Sequence, residues 1–485
     1  MLRRWASLVF ALDLRSLALF RIGLGLLVFA DAVVRSLDIE AFYSDAGVRP
    51  RGAVLDTLLA RVQPSLHMLS GAVSFQAALF VVAAVAGLLL AVGWRTRTMS
   101  VIAWALVLSV QNRNGSINTG ADAVLVTFCL FACFLPLGAR FSLDARAHPH
   151  SAPADHRLCT AATAAVVLQL VVIYVFNVVN KSGQSWFNGT AVLRALHIDQ
   201  HITPLGLVVR EQLAWLSGPL TVGTLVVEAS AVLLLLPVAV GGVRSVVVVA
   251  MWGLHAGLAA CMYLGLFSPV CMVAWLAVIP AAAWRWRPLK ALERFVDVGS
   301  GAGGPSPRLS IVATVFLGVV VSTQLALNIG KVVGHPMPRP VVLAARAIGV
   351  DQLWRMFSEN PGRNDGWFVV VGELASGATV DLRGGGPVSF DKPRYVAHQY
   401  STARWRKFMM NNSAPREKGS RRRYAQWLCL SWNRDHAGED ALTAVKLTWM
   451  NETTRRDLKP TKVKRDAMGR FVCKVETRKT SAVQR

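Results

Sequence analysis

Nine stretches of the chain are apolar for long enough, or nearly long enough, to cross a bilayer, and this limits the fold more than any other feature. A spanning helix needs about 20 apolar residues, because in lipid every backbone N–H and C=O must be satisfied within the segment. The runs lie near 16–36, 72–93, 98–111, 121–138, 159–180, 219–240, 244–265, 267–284 and 309–330. The third and fourth are short, and the seventh and eighth are parted only around Gly265–Pro269, so the expectation is nine spans, with eight as its rival. The first run carries Arg21, Asp31 and Arg35 and lacks a small-residue cleavage site, which distinguishes it from a cleaved signal peptide. Charged residues make up only 16% of the chain, against about 25% in soluble proteins. The expected fold class is a polytopic α-helical membrane protein.

Charge divides the chain near Gly330. Residues 1–330 hold 23 Lys+Arg and 14 Asp+Glu, whereas 331–485 hold 29 and 14, so +15 of the net +24 lies in the last third. Two domains follow: a transmembrane helical domain over 1–330 and a basic, water-soluble domain over 331–485. In the second, "GWFVVVGELASGATVDLRGG" has the pattern of a β-hairpin with Gly377 in its turn. "PRYVAHQYSTARWRKFMMNN" and "RRRYAQWLCLSWNRD" are patterned as amphipathic helices, and "ALTAVKLTWMNETT" as a strand. This predicts a small α+β domain docked on the outer face. Its basic runs suit anionic lipid headgroups or an acidic peptide or protein substrate, or simply a solvated surface. Nucleic acid is not an expected partner, because no recognition motif is present. Cys429 and Cys473 would pair if the tail faces an oxidising compartment. No CxxC motif exists, and no metal site is expected; His197 and His201 share a helical spacing but have no third ligand nearby.

Basic residues in short loops set orientation. With the N-terminus inside, cytoplasmic segments hold fourteen of them, including the cluster "WRWRPLKALER", and the other side holds eight. Nine spans then place the tail outside the cytoplasm. Loops 37–70 and 181–217 are long and mixed enough to roof the bundle, and "GSGAGGPSPR" at 299–308 is patterned as a linker.

Ionisable residues in spans are costly and so mark functional positions. Arg21, Asp31, Asp122, Glu228 and His255 lie within or at the ends of apolar runs, and no basic residue on the span of Glu228 can neutralise it. Lys181 follows "VVIYVFNVVN" at the outer end of the fifth span. Desolvated there, it is a usable base; alternatively it snorkels to the headgroups.

Several segments carry a resemblance. "LALFRIGLGLLVFADAVVR", "QNRNGSINTGAD", "CFLPLGARFSLDA", "NKSGQSWFNGTAV" and "EASAVLLLLP", in that order over residues 12–330, resemble the horizontally transferred transmembrane (HTTM) family. This is the membrane domain shared with vitamin K-dependent gamma-glutamyl carboxylase. The tail segment "LWRMFSENPGRNDGWFVVVGELASGATVDL" is similar to the extracytoplasmic part of bacterial members, so the resemblance implies a bacterial inner membrane. It implies further that Lys181, five positions before Trp186, deprotonates a reduced quinone (vitamin K-like) whose basic product lets carbon dioxide add to a substrate glutamate. Glu228, His255, Arg21, Asp31, Asn114 and Asp122 are then candidate pocket residues. The chain departs from the carboxylase at "NRNGSINTGAD", which has no histidine, and its tail is far shorter. The alternative function is a non-catalytic membrane maturation or binding factor for a secreted protein or lipid, a role taken by some bacterial relatives.

The orientation has a direct consequence. A cysteine engineered near Gln484 should be labelled by a membrane-impermeant thiol reagent in intact cells, the outer membrane permeabilised if there is one. Protection there would overturn the N-inside, nine-span topology.

Overall fold

The computed structural model describes residues 2–56, 62–148, 156–237, 241–296, 308–455, 457–459 and 461–474. Apart from Arg308, the linker expected at 299–308 lies outside the described residues. The principal helices are α1 (Leu14–Ser36), α2 (Val73–Val92), α3 (Thr96–Arg113), α4 (Gly120–Ala132) and α5 (Ala161–Val179). They continue with α6 (Ser217–Ala229), α7 (Gly241–Cys261), α8 (Phe267–Leu276) and α9 (Ile311–Val332). Turns of 3₁₀ helix extend α6 at both ends, so that its apolar course runs Ala214–Leu235. Among the described residues, six helices are long and apolar enough to cross a membrane: α1, α2, α5, extended α6, α7 and α9. Helices α4 and α8 are shorter apolar helices.

Local chemistry sets the helix ends. Asp13 caps α1 by accepting from the Arg15 amide at 2.9 Å. Gly93, at φ +75°, closes α2 in the left-handed conformation that a Cβ would disfavour. Asp144 then receives the Arg95 and Thr96 amides at 2.8 and 2.7 Å, holding the start of α3. A two-residue bridge pairs Leu12–Asp13 with Arg157–Leu158, so α1 and α5 start at the same end of the bundle. This first end also carries the α2–α3 turn and the segment after α4. Lys181 and the loops near Asn114 lie at the second end.

Helices α1 and α2 approach most closely at Gly25 and Gly87. A Cβ on Gly25 would stand 2.5 Å from the Gly87 carbonyl oxygen, and one on Gly87 would stand 2.7 Å from that of Gly25. Such close backbone contact is how helices associate in lipid, where apolar burial gives little drive. Arg21, fully buried on α1, donates to four carbonyls: Ala91 (3.2 Å), Leu137 (3.0 Å), Arg140 (3.0 Å) and Phe141 (2.6 Å). These tie α1 to the end of α2 and to the turn after α4.

The C-terminal region forms a four-stranded antiparallel sheet with two helices. The strands are β1 (Asn364–Leu374), β2 (Thr379–Asp381), β3 (Leu442–Thr453) and β4 (Lys464–Val472), in the order β2-β1-β3-β4. Gly377, at φ +84°, turns β1 into β2, as the sequence pattern predicts. Helix α10 (Ala403–Asn412) takes up only the second half of the first amphipathic pattern, whose first half holds a 3₁₀ turn at Val396–Gln399, whereas α11 (Lys418–Asp435) covers the second pattern, and a disulfide joins Cys429 on α11 to Cys473 just past β4. The apolar core beneath the sheet includes Trp367, Phe408 and Tyr424, and it runs without a break into Phe42, Tyr43, Phe80 and Leu106 at the second end of the bundle.

Four buried charges fasten this join. Arg35 of α1 donates to Asp31 at 2.7 Å, to the Tyr43 hydroxyl at 2.8 Å and to Asp122 of α4. Arg404 of α10 reaches down to Asp31 and, at 3.1 Å, to Asp122. Asp122 also completes a capping box at the start of α4 with Thr119, whose amide donates to it at 2.6 Å. Two aspartates facing two arginines leave the cluster neutral, which is the condition for burying it. Replacing Arg404 with Met leaves one carboxylate uncompensated, and the expected loss is about 3–5 kcal/mol. It should appear as a lower melting temperature of the detergent-solubilised protein and faster proteolysis of the C-terminal region. Wild-type behaviour in both assays would show that the cluster does not hold the two parts together.

Candidate functional site

On α5, Tyr174, Asn177 and Lys181 recur at i, i+3 and i+7 and therefore share one face. Lys181 stands just past the helix end and is 5% exposed. Its Nζ pairs with Oε2 of Glu228, which approaches from α6. Asn177 Nδ2 donates to the other oxygen, Oε1, at 2.8 Å. The partner that the α6 sequence lacks thus comes from α5, 47 positions away. The Lys181 ammonium also lies 4.9 Å from the centre of the Trp186 ring, a cation–π contact that covers it. Burial holds the pKa of Lys181 below the ordinary lysine value, while the Glu228 carboxylate acts in the opposite direction.

Residues 354–360 close the site from the second end. The Met356 amide donates to Asn177 Oδ1 at 2.9 Å, and Trp186 Nε1 donates to the Phe357 carbonyl at 3.2 Å. Asn180 Nδ2 reaches the Trp354 carbonyl at 3.1 Å. Asn360 Oδ1 receives both the amide and the hydroxyl of Ser185 at 2.9 and 2.6 Å. Every group around Lys181 is therefore held by a second hydrogen bond, which fixes the pair's geometry.

A second polar group lies two turns deeper. Tyr174 Oη is 2.6 Å from His255 Nε2 on α7 and accepts from Trp275 Nε1 of α8 at 3.0 Å. His255 Nδ1 is buried and has no hydrogen-bond partner among the described residues. Tyr174 lies one turn from Asn177 on the same face of α5. Lys181, Trp186, Glu228 and, through Tyr174, His255 thus belong to one polar seam between α5, α6, α7 and α8.

The other residues singled out from sequence lie elsewhere. Arg21 is the carbonyl clamp at the first end. Asp31 and Asp122 belong to the four-charge cluster. Asn114 donates to the Phe42 carbonyl at 3.1 Å and so secures the 37–50 loop. His197 bonds the Leu193 carbonyl of its own turn at 2.7 Å. Among the described residues, no group of three or more His, Cys, Asp and Glu side chains is arranged to hold a metal.

Sequence reading missed Tyr174, Asn177, Trp275, Arg35 and Arg404. The polar spacing carried a usable signal, because Tyr174 and Asn177 fall on one face of a mostly apolar span and Lys181 follows four positions later. Arg404 carried none, being one arginine in a basic tail. Comparison of the chain with protein-family models, curated proteins and solved structures found no match.

Beside the roof over Lys181 lies an ionisable junction with the sheet. Asp365 of β1 is buried, and its Oδ2 accepts from the Asp199 amide at 2.5 Å. Asp199 itself pairs with Arg210 at 2.7 Å and Lys392 at 2.6 Å. Burial, followed by the Asp199 carboxylate, pushes the Asp365 carboxyl up to about 7. An unfolded aspartate titrates near 3.9, so between these values the folded state holds the extra proton. The contribution of Asp365 to stability is therefore full below pH ~3.9 and declines as pH rises through about 7. Asp365→Asn should flatten that part of the stability profile, read by thermal melts between pH 5 and 8. An unchanged slope would rule Asp365 out as its source.

Proposed function

We propose that the chain is an inner-membrane protein of nine spans, with Lys181 acting as a base on a lipid-soluble weak acid of reduced-quinone type. The six long helices, together with α3, α4 and α8, supply the nine crossings. Exposed Trp94 and Trp286 at the first end, with Phe187 and Trp215 at the second, suit two interfacial belts. The N-inside orientation rests on the excess of basic residues in the first-end loops, and it leaves the C-terminal domain outside the cytoplasm.

One observation carries the catalytic reading: a desolvated Lys181–Glu228 pair, held by Asn177 and covered by Trp186. Removing water from a lysine favours its neutral amine, the form that accepts a proton. Glu228 Oε2 takes the proton that Lys181 Nζ releases, and Asn177 keeps Glu228 oriented for the exchange. No charge is separated in that exchange, which suits a low-dielectric site. The residues also suit a planar ring bearing oxygens, since the Trp186 ring borders the pair and His255 Nδ1 is a buried polar atom without a partner among the described residues. A reduced quinone bound there would supply an acidic hydroxyl and reducing equivalents. The target would be a peptide, with exposed Lys418, Arg422, Lys462 and Lys464 among the basic side chains available to acidic residues or anionic headgroups. This is the carboxylase-like chemistry that the HTTM resemblance implies.

A second reading, a non-catalytic maturation or binding factor, is favoured by the completeness of the same arrangement. Lys181 is fully paired, and main-chain groups of 354–360 anchor its neighbours, so the seam also serves to dock the C-terminal domain. The two readings diverge on one measurement. Oxygen consumption driven by a reduced naphthoquinone, compared between wild type and Lys181→Ala at equal membrane abundance, should fall about 10²–10⁴-fold on losing a general base. Equal rates would sink the catalytic reading. A quinone co-purifying with wild type, identified by mass spectrometry, is the accompanying expectation.

A further inference from the structure

A groove of about 950 Å³ opens at the first end of the bundle, far from Lys181, between the starts of α3 and α9 and the turn that follows α4. Its walls divide by chemistry. Phe134, Leu135, Val312 and Phe316 form an apolar side, with the Phe134 and Phe316 rings 5.7 Å apart. Arg97 and Arg308 form a cationic side, and both are exposed.

One acid, Asp144, also lines the groove, but its carboxylate is already engaged. It receives the Arg95 amide on one oxygen, and the Thr96 amide and hydroxyl, at 2.7 and 2.6 Å, on the other. No ion pair engages Arg97 or Arg308 among the described residues. Among the described residues, the groove therefore keeps an unneutralised positive side beside an apolar wall, at the level where membrane helices begin.

We infer that this groove binds one anionic phospholipid, its phosphate between Arg97 and Arg308 and the start of an acyl chain along Val312 and Phe316. Charge complementarity selects this occupant. Two exposed guanidiniums attract a phosphate diester and form charge-assisted hydrogen bonds to its oxygens, and the apolar wall has no use for a fully hydrated anion. A zwitterionic lipid matches the wall equally well but gains less from the arginines. The lipid would bridge α3 and α9, which belong to opposite parts of the bundle in chain order, and would thereby brace the first end.

The test uses the purified full-length protein in detergent, with phosphatidylglycerol and phosphatidylcholine offered in equal amounts and retention read by native mass spectrometry. Wild type should retain phosphatidylglycerol preferentially. Arg97→Gln with Arg308→Gln should reduce that preference roughly 30-fold, the effect of two basic residues at a lipid surface. Arg97→Lys with Arg308→Lys, which keeps both charges, should preserve most of it. Equal retention of the two lipids by wild type overturns the inference, as does a preference unchanged in the glutamine double variant. Displacement of the lipid by inorganic phosphate overturns it too, by identifying the site as one for a soluble anion. Both arginines are exposed and outside the bundle core, so the variants should fold, and an unchanged melting temperature without added lipid verifies this.

Discussion

The Asp31–Arg35–Asp122–Arg404 cluster is the interaction on which the rest of the arrangement depends. Isolated charges are not stable in an apolar interior, and an unequal number of them is nearly as costly. The bundle alone contributes two carboxylates and one guanidinium to this spot. Only α10 supplies the fourth charge. Its position sets the seat of the whole C-terminal region, since Trp405 and Phe408, beside Arg404, pack on Phe42 of the 37–50 loop. With the sheet seated there, residues 354–360 are drawn across the mouth of α5, and the surroundings of Lys181 are completed by main-chain groups from the far end of the sequence.

The helical bundle was largely legible in the sequence because spanning a bilayer imposes a length and composition that no packing detail can disguise. The β-hairpin at Gly377, the helix over 418–435 and the second half of the one expected over 393–412 were legible for a related reason: local periodicity and turn chemistry define them. Pairings between distant residues were not legible. Glu228 stood out as an unneutralised acid on an apolar span, yet nothing in its neighbourhood identified Lys181 as its counter-ion. Arg21 and Asp31, both conspicuous as charges in one run, proved to do different things, one gathering carbonyls at the first end and the other closing an ion cluster at the second. Arg404 was invisible because a basic tail offers many arginines, and burial is decided by the docking of helices rather than by composition.

The two polar centres of the bundle are built on different principles. The four-charge cluster is saturated with ionic contacts and joins three helices, which suits a fastening. The seam around Lys181 combines one ion pair with neutral amides, a phenol, an indole and an imidazole, and one of its buried nitrogens has no hydrogen-bond partner among the described residues. An ion pair and an imidazole set among neutral groups can pass a proton without separating charge, and this contrast is the physical basis for proposing chemistry at one centre and not the other.

The composition of the four-charge cluster also bears on how the chain is made. Synthesis delivers Asp31, Arg35 and Asp122 early, and Arg404 only about 280 positions after Asp122. Until then Asp31 and Asp122 have one arginine between them. A chain that stops short never receives its last counter-ion. The fold thus ties the charge balance of its second end to a residue that is made late in synthesis.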